Sequence, residues 1–188
     1  MTVPMATETP GWAREVVGFW FGELGPQQWF AKSDAVDATI RDRFLGLHAN
    51  LALSPPTLGL DPQRALAAIL VFDQFPRNMF RGTPRAFATD ALALQLATGA
   101  VRDGLDLHLA TAERLFVYLP FEHSEDADDQ ARAVSLISRL NDAEWTRYAV
   151  AHKDIIDRFG RFPHRNDALG RPSTPEEIEF LRQPDSSF

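Results

Sequence analysis

Apolar residues recur at spacings of three and four along nearly the whole chain, and nowhere do they alternate with polar residues over a sustained stretch. The first pattern places side chains on one face of a helix, and the second is what a half-buried strand needs. Val36, Ile40, Phe44, Leu47 and Leu51 form one such stripe after Ser33. Asp61-Pro62 is a helix start, with an N-cap followed by proline at the first helical position, and the run from Ala65 continues to about Phe75. Thr83-Pro84 repeats the signal and predicts a helix through Phe87, Leu94 and Ala97. A further helix is expected to end at Tyr118-Leu119, before Pro120. Ser124 is positioned to cap the next, with Glu125, Asp126, Asp128 and Asp129 in the turns that the helix dipole favours for acids. Asn141 with Glu144 resembles a capping box opening a helix that carries Trp145, Tyr148, Ile155, Ile156 and Phe159 and ends at Gly160. Thr174-Pro175-Glu176-Glu177 starts a short last helix. The expectation is an all-α protein of about eight helices, residues 1–188 forming a single domain without linkers or a strict 34-residue repeat.

Composition narrows the function classes. No cysteine is present, which removes disulfides, thiolate catalysis and Cys-based zinc sites. A formal net charge of −7 argues against general nucleic-acid binding. The stretch from Met1 to Trp12 has neither a basic nor an apolar leader region, and no apolar run is long enough for a membrane span, so a cytoplasmic location is expected. Lys32 and Lys153 are the only lysines among 19 basic side chains; the rest are arginines, whose planar fork suits carboxylates and phosphates. Genome composition produces the same bias.

Three polar residues sit on apolar stripes. Asp73 shares a face with Leu66, Ile69 and Leu70; Gln130 with Ala127, Val134 and Ile137; and His152 lies between Tyr148 and Ile156. A buried carboxylate needs a partner, and Arg77, Arg81 and Arg85 are the nearest cations to Asp73. Cations and rings also concentrate in Arg158-Phe159-Gly160-Arg161-Phe162-Pro163-His164-Arg165-Asn166. That stretch echoes Phe72-Asp73-Gln74-Phe75-Pro76-Arg77-Asn78, since both carry an Asp near a helix end and an Arg-Asn pair after Phe-Pro. His123 precedes a helix start. No Glu-x-x-His or His-Glu-x-x-His spacing occurs, no Gly-rich phosphate loop is present, and Ser124 and Ser173 are accounted for by capping; no metal or cofactor is expected.

Several of these segments together resemble one family. They are Val16-Val17-Gly18-Phe19-Trp20-Phe21, Asp73 through Asn78, Phe80-Arg81-Gly82-Thr83, Tyr118-Leu119-Pro120-Phe121, His123-Ser124-Glu125-Asp126, and Arg158 through Asn166 with Leu169-Gly170-Arg171. The chain from about Trp12 to Leu181 is similar to the domain of unknown function 924, found mainly in bacteria with plant and fungal members. The resemblance implies a helical fold similar to tetratricopeptide-repeat domains, a stack of helical hairpins, and brings no established activity or catalytic residue.

Two functions follow as expectations. One is a polar pocket for a small anionic metabolite, built from Asp73, Arg77, Asn78, Arg81, Arg161, Arg165 and Asn166 with His123, His152 and His164 as candidate acid–base residues. In it Arg77 and Arg165 clamp a carboxylate or phosphate, Asn78 and Asn166 orient it, and Asp73 holds an arginine. The same residues equally suit an ion-pair lattice that locks helix ends. The other function is a protein-interaction module that grips a peptide, by analogy with tetratricopeptide-like grooves. Oligomeric state is left open.

Overall fold

The structure, a computed structural model, describes residues 8–59, 61–184 and 186. Residues 1–7 of the amino-terminal stretch discussed above lie outside the described residues. Among the described residues there are nine α-helices and no strand, so the all-α reading holds. They are α1 (Gly11–Val17), α2 (Pro26–Trp29), α3 (Asp34–Leu53), α4 (Pro62–Met79), α5 (Asp90–Arg102), α6 (Thr111–Glu122), α7 (Ala127–Ser138), α8 (Ala143–Phe159) and α9 (Pro175–Phe180). A π-helical segment, Gly18–Glu23, continues α1, and short 3-10 turns lie at Pro84–Phe87, Leu105–His108 and Pro163–Arg165. None of the described helices is long and apolar enough to cross a membrane.

The chain divides into two compact units. The first holds the described residues up to Arg81 together with Arg85–Pro120; the second holds Gly82–Pro84 and the described residues from Phe121 onward. The first unit is organised around α4, which packs against α1, α3 and α5. Every residue from Ala65 to Pro76 is buried, as expected of a helix enclosed on several sides. Aromatic rings fill the space around it. Phe44 lies 4.7 Å from Phe75, and Trp20 meets Phe116 edge-on at 5.5 Å, a geometry that aligns the positive rim of one ring with the face of the other.

Sequence and structure differ at five helix ends. α4 runs through Pro76 rather than stopping near Phe75. A proline deprives the carbonyl four residues earlier of its helical donor. Here that carbonyl belongs to Phe72, and the Thr89 hydroxyl donates to it at 2.7 Å. The helix expected from Thr83-Pro84 is instead a 3-10 turn over Pro84–Phe87 followed by α5 from Asp90. Asp90 sits in the first turn of α5, where a carboxylate is favoured, and is held there by Arg77. α6 continues through Pro120 to Glu122. Asp126, not Ser124, caps α7, its carboxylate accepting from the Asp128 and Asp129 amides at 2.9 and 3.2 Å. Asp142, not Asn141, caps α8 by accepting from the Trp145 amide at 2.9 Å, while Asn141 takes a left-handed φ of 58°. Asp61 and Thr174 cap the helices whose starts were expected there, and Ser33, the residue before the first stripe, caps α3.

In the second unit α7 packs against α8. The core there is Ile155, Ile156 and Phe162, with Phe159 and Phe180 packed on it. Gly160 ends α8 with a left-handed φ of 68°, its N–H donating to Ile156 at 2.8 Å, and so turns the chain back to deliver Phe162 into that core.

Candidate functional site

All three polar residues on apolar stripes are buried: Asp73 and Gln130 are 0% exposed and His152 is 5% exposed. The residues singled out from sequence divide between the two units, with Asp73, Arg77, Asn78 and Arg81 in the first and His123, His152, Arg161, His164, Arg165 and Asn166 in the second.

In the first unit the arginines are engaged by carboxylates. Arg77 lies 3.3 Å from Asp73 and makes a two-pronged pair with Asp90 at 2.9 and 3.0 Å. Burial opposes its charge, but Asp73 and Asp90 outweigh burial and raise its pKa. Arg81 makes a second fork, to Asp37 at 2.9 Å through both nitrogens, and the Asn78 amide donates to the same carboxylate at 2.7 Å. Burial pushes the Asp37 carboxyl up, yet the bonds from Arg81 and Asn78 leave it below its ordinary value. Asp37, on the stripe side of α3, escaped the sequence reading because an acid in a first helical turn already has an explanation in the helix dipole. Arg85, the other cation offered to Asp73, lies over the Phe80 ring at 3.8 Å.

The second unit contains two polar assemblies. One is a hub on Glu177, which is buried and accepts from Arg161 at 2.6 and 2.8 Å, from the Thr174 amide at 2.7 Å and from Asn166 at 3.3 Å. The Arg161 fork, aided by the Thr174 amide and opposed by burial, holds its carboxyl at about 2. Sequence showed Glu177 only as part of the start of the last helix, where it also completes a capping box with Thr174.

The other assembly surrounds Phe162. Its backbone is fixed by an ion pair: the Phe162 N–H donates to Glu125 at 2.8 Å, and Arg171 donates to the Phe162 carbonyl at 3.1 Å while forking onto Glu125 at 2.7 and 2.9 Å. Glu125 therefore clamps a distant loop and is not a first-turn acid of α7. Around the ring stand His152 at 5.6 Å edge-on, His164 at 5.6 Å and the Arg165 guanidinium at 4.5 Å; His123 lies 6.3 Å from His152. His152 and Arg165 are buried, and His123 and His164 are half-buried.

The His152 Nδ1 is 2.9 Å from the Tyr148 carbonyl and 3.2 Å from the Glu122 carboxyl. Both partners accept, so Nδ1 carries the proton and Nε2 the lone pair. Burial, opposed by the hydrogen bond to the Tyr148 carbonyl and reinforced by repulsion from His123, His164 and Arg165, pushes the ring down to about 3, so the Glu122 contact is a hydrogen bond from neutral imidazole rather than an ion pair. Gln130 fastens the segment that bears these groups, donating at 2.6 Å to both the Glu122 and the Ser124 carbonyls. Glu122 was not singled out from sequence; its signal is an acid directly beside His123, two residues past the Pro120 that was expected to end the helix. Among the described residues, no three His, Asp or Glu side chains are grouped so as to hold a metal ion.

Comparison with known proteins places this arrangement in a family. Residues 16–185 match the family described as bacterial protein of unknown function, DUF924. Among solved structures, a protein of unknown function from Agrobacterium tumefaciens is similar over 90% of this chain and 96% of that one, at 44% identity and a TM-score of 0.85. No curated protein matches. A family match over nearly the whole chain and a solved relative of this identity lead to one conclusion: the chain is a member of the DUF924 family.

Proposed function

We propose that the second unit binds a small anion, a carboxylate or phosphate, against His123, His164 and Arg165 beside Phe162. The observation that carries this reading is the grouping of two imidazoles, His152 and His164, and the Arg165 guanidinium around one phenylalanine whose backbone is locked by Glu125 and Arg171, with the His123 ring 6.3 Å from that of His152. His123, His164 and Arg165 also act on His152, adding to the burial that lowers its pKa. A guanidinium and imidazole N–H groups are donors suited to a carboxylate or phosphate, and partial burial strengthens such an attraction over its value in water. The half-buried His123 and His164 give the cluster an edge on solvent. In this reading the ion-paired Arg77, Arg81 and Arg161 hold helix ends, and Asn166 serves the Glu177 hub.

Thermal unfolding in inorganic phosphate and in succinate, against chloride of equal ionic strength, tests it. An anion at a hundred times its Kd stabilises by about 2.7 kcal/mol, which for a protein of this length is a rise of about 5–10 °C in Tm. The rise is expected in wild type and lost in Arg165→Ala and His164→Ala. No rise in wild type for either anion, or an equal rise in both variants, refutes the site.

A further inference from the structure

One arginine of the first unit is held by a ring instead of an acid. We infer that Arg85 and Arg41, on either side of Phe80 and next to His48, bind a phosphate group at the surface of the first unit. The inference is independent of the anion site proposed for the second unit.

Three features carry it. First, the Arg85 guanidinium lies 3.8 Å over the Phe80 ring, whereas Arg77 and Arg81 of the same unit fork onto Asp90 and Asp37. Arg85 is exposed, and among the described residues no hydrogen bond or ion pair engages its side chain. A ring face attracts a cation without neutralising it, and stacking fixes the plane of the guanidinium. The fork is thus held flat at the surface with its donors unused.

Second, two further basic residues converge on the same ring. Arg41 and His48 lie seven residues apart on α3, two turns along one face. Arg41, also exposed, donates through Nε and Nη2 to the carbonyl of Met79, the residue before Phe80, at 3.3 and 3.1 Å. That leaves its Nη1 for a ligand. The His48 ring meets that of Phe80 at 5.9 Å. Burial and then the charge of Arg85 lower the His48 pKa, so the guanidinium stands within electrostatic reach of the imidazole.

Third, the acids of the adjoining turns are engaged by other side chains. Asp37 accepts from Arg81 and Asn78, and Asp90 accepts from Arg77. Asp42, next to Arg41 in the chain, is turned about 100° round α3 from it. The positive charge at Phe80 is therefore left for a ligand to meet. The donor set selects a phosphate. A carboxylate is planar and is satisfied by one fork, whereas a phosphate is tetrahedral, carries more than one charge and accepts from several directions. Donors arriving separately from α3 and from the Pro84–Phe87 turn suit the second shape.

NMR of histidine-labelled protein, titrated with inorganic phosphate or glycerol phosphate against chloride of equal ionic strength, tests this. His48 reports on the first unit and His164 on the second. The His48 ring signals are expected to shift saturably with the phosphates and not with chloride. Arg85→Gln and Arg41→Gln should each weaken that response about tenfold or more, the effect of losing a charge-assisted hydrogen bond. Neither should alter the His164 response. Binding of either phosphate supports the site, and the tighter of the two tells free phosphate from a phosphate ester as its source. No saturable His48 shift in wild type, a shift that chloride reproduces, or one unchanged in Arg85→Gln overturns the inference. Arg165→Ala should leave the His48 response intact, so each of the two sites can fail without the other.

Discussion

Replacing Glu177 by glutamine separates the structural arginine of the Arg158–Asn166 stretch from the one assigned to the anion site. The carboxyl is held at about 2 against an ordinary value of 4.5, chiefly by the Arg161 fork. At about 1.4 kcal/mol per pH unit, that difference corresponds to roughly 3 kcal/mol of folding free energy. The Glu177 side chain is 3% exposed but Arg161 is 27% exposed, and solvent reaching the guanidinium screens the pair to about 2 kcal/mol. The sign follows from a depressed folded-state value. The contribution is complete above the unfolded value near 4.5 and disappears as pH falls through the folded value near 2. Urea unfolding followed by circular dichroism at pH 7, 4 and 2.5 is the assay. Glu177→Gln should be less stable by about 2 kcal/mol at pH 7, a midpoint lower by roughly 1 M, with the gap narrowing at pH 4 and reduced to roughly a quarter at pH 2.5. A gap that is absent at pH 7, or unchanged down to pH 2.5, refutes the assignment of Glu177 as a charged hub.

Three other substitutions probe the remaining framework. Thr89→Val removes the donor that compensates for Pro76, stranding the Phe72 carbonyl inside the first unit; the expected loss is about 1–3 kcal/mol in urea unfolding. Tyr118→Phe removes a hydroxyl that donates to the buried Asp106 at 2.6 Å and accepts from Arg114, and should cost about 1–3 kcal/mol by the same measure. Gln130→Leu deletes both bonds to the Glu122 and Ser124 carbonyls, so amide hydrogen exchange around residues 122–125 should accelerate while that of α4 is unchanged.

Helix identity was legible wherever one signal dominated. The stripe after Ser33 and the Asp61-Pro62 and Thr174-Pro175 starts correspond to α3, α4 and α9. Ends that depended on a competition were not. Pro76 and Pro120 read as stops, yet the cost of proline inside a helix falls when the stranded carbonyl finds a donor, as Phe72 finds Thr89, a residue 17 positions away. Ser124 lost the cap to Asp126, two residues on, because either side chain satisfies the local rule and the fold selects one. The same logic governs the site. Burial of Asp73, Gln130 and His152 follows from their place on apolar faces, which is a local property. The partners do not follow: Asp37 for Arg81, Glu177 for Arg161 and Glu125 for Arg171 lie 44, 16 and 46 residues away. With 26 acidic side chains available, the sequence leaves every arginine's partner open. Only the fold separates Arg161, bound to Glu177, from Arg165, four residues on, lying against Phe162.

The central claim is that an anion belongs beside Phe162, and crystals grown or soaked with selenate test it most directly, since selenium marks the anion by its anomalous signal. The account predicts a peak within hydrogen-bond reach of Arg165 and at least one of His123 and His164, lost in crystals of Arg165→Ala. Selenate bound elsewhere on the protein, with no peak at this cluster, would contradict it.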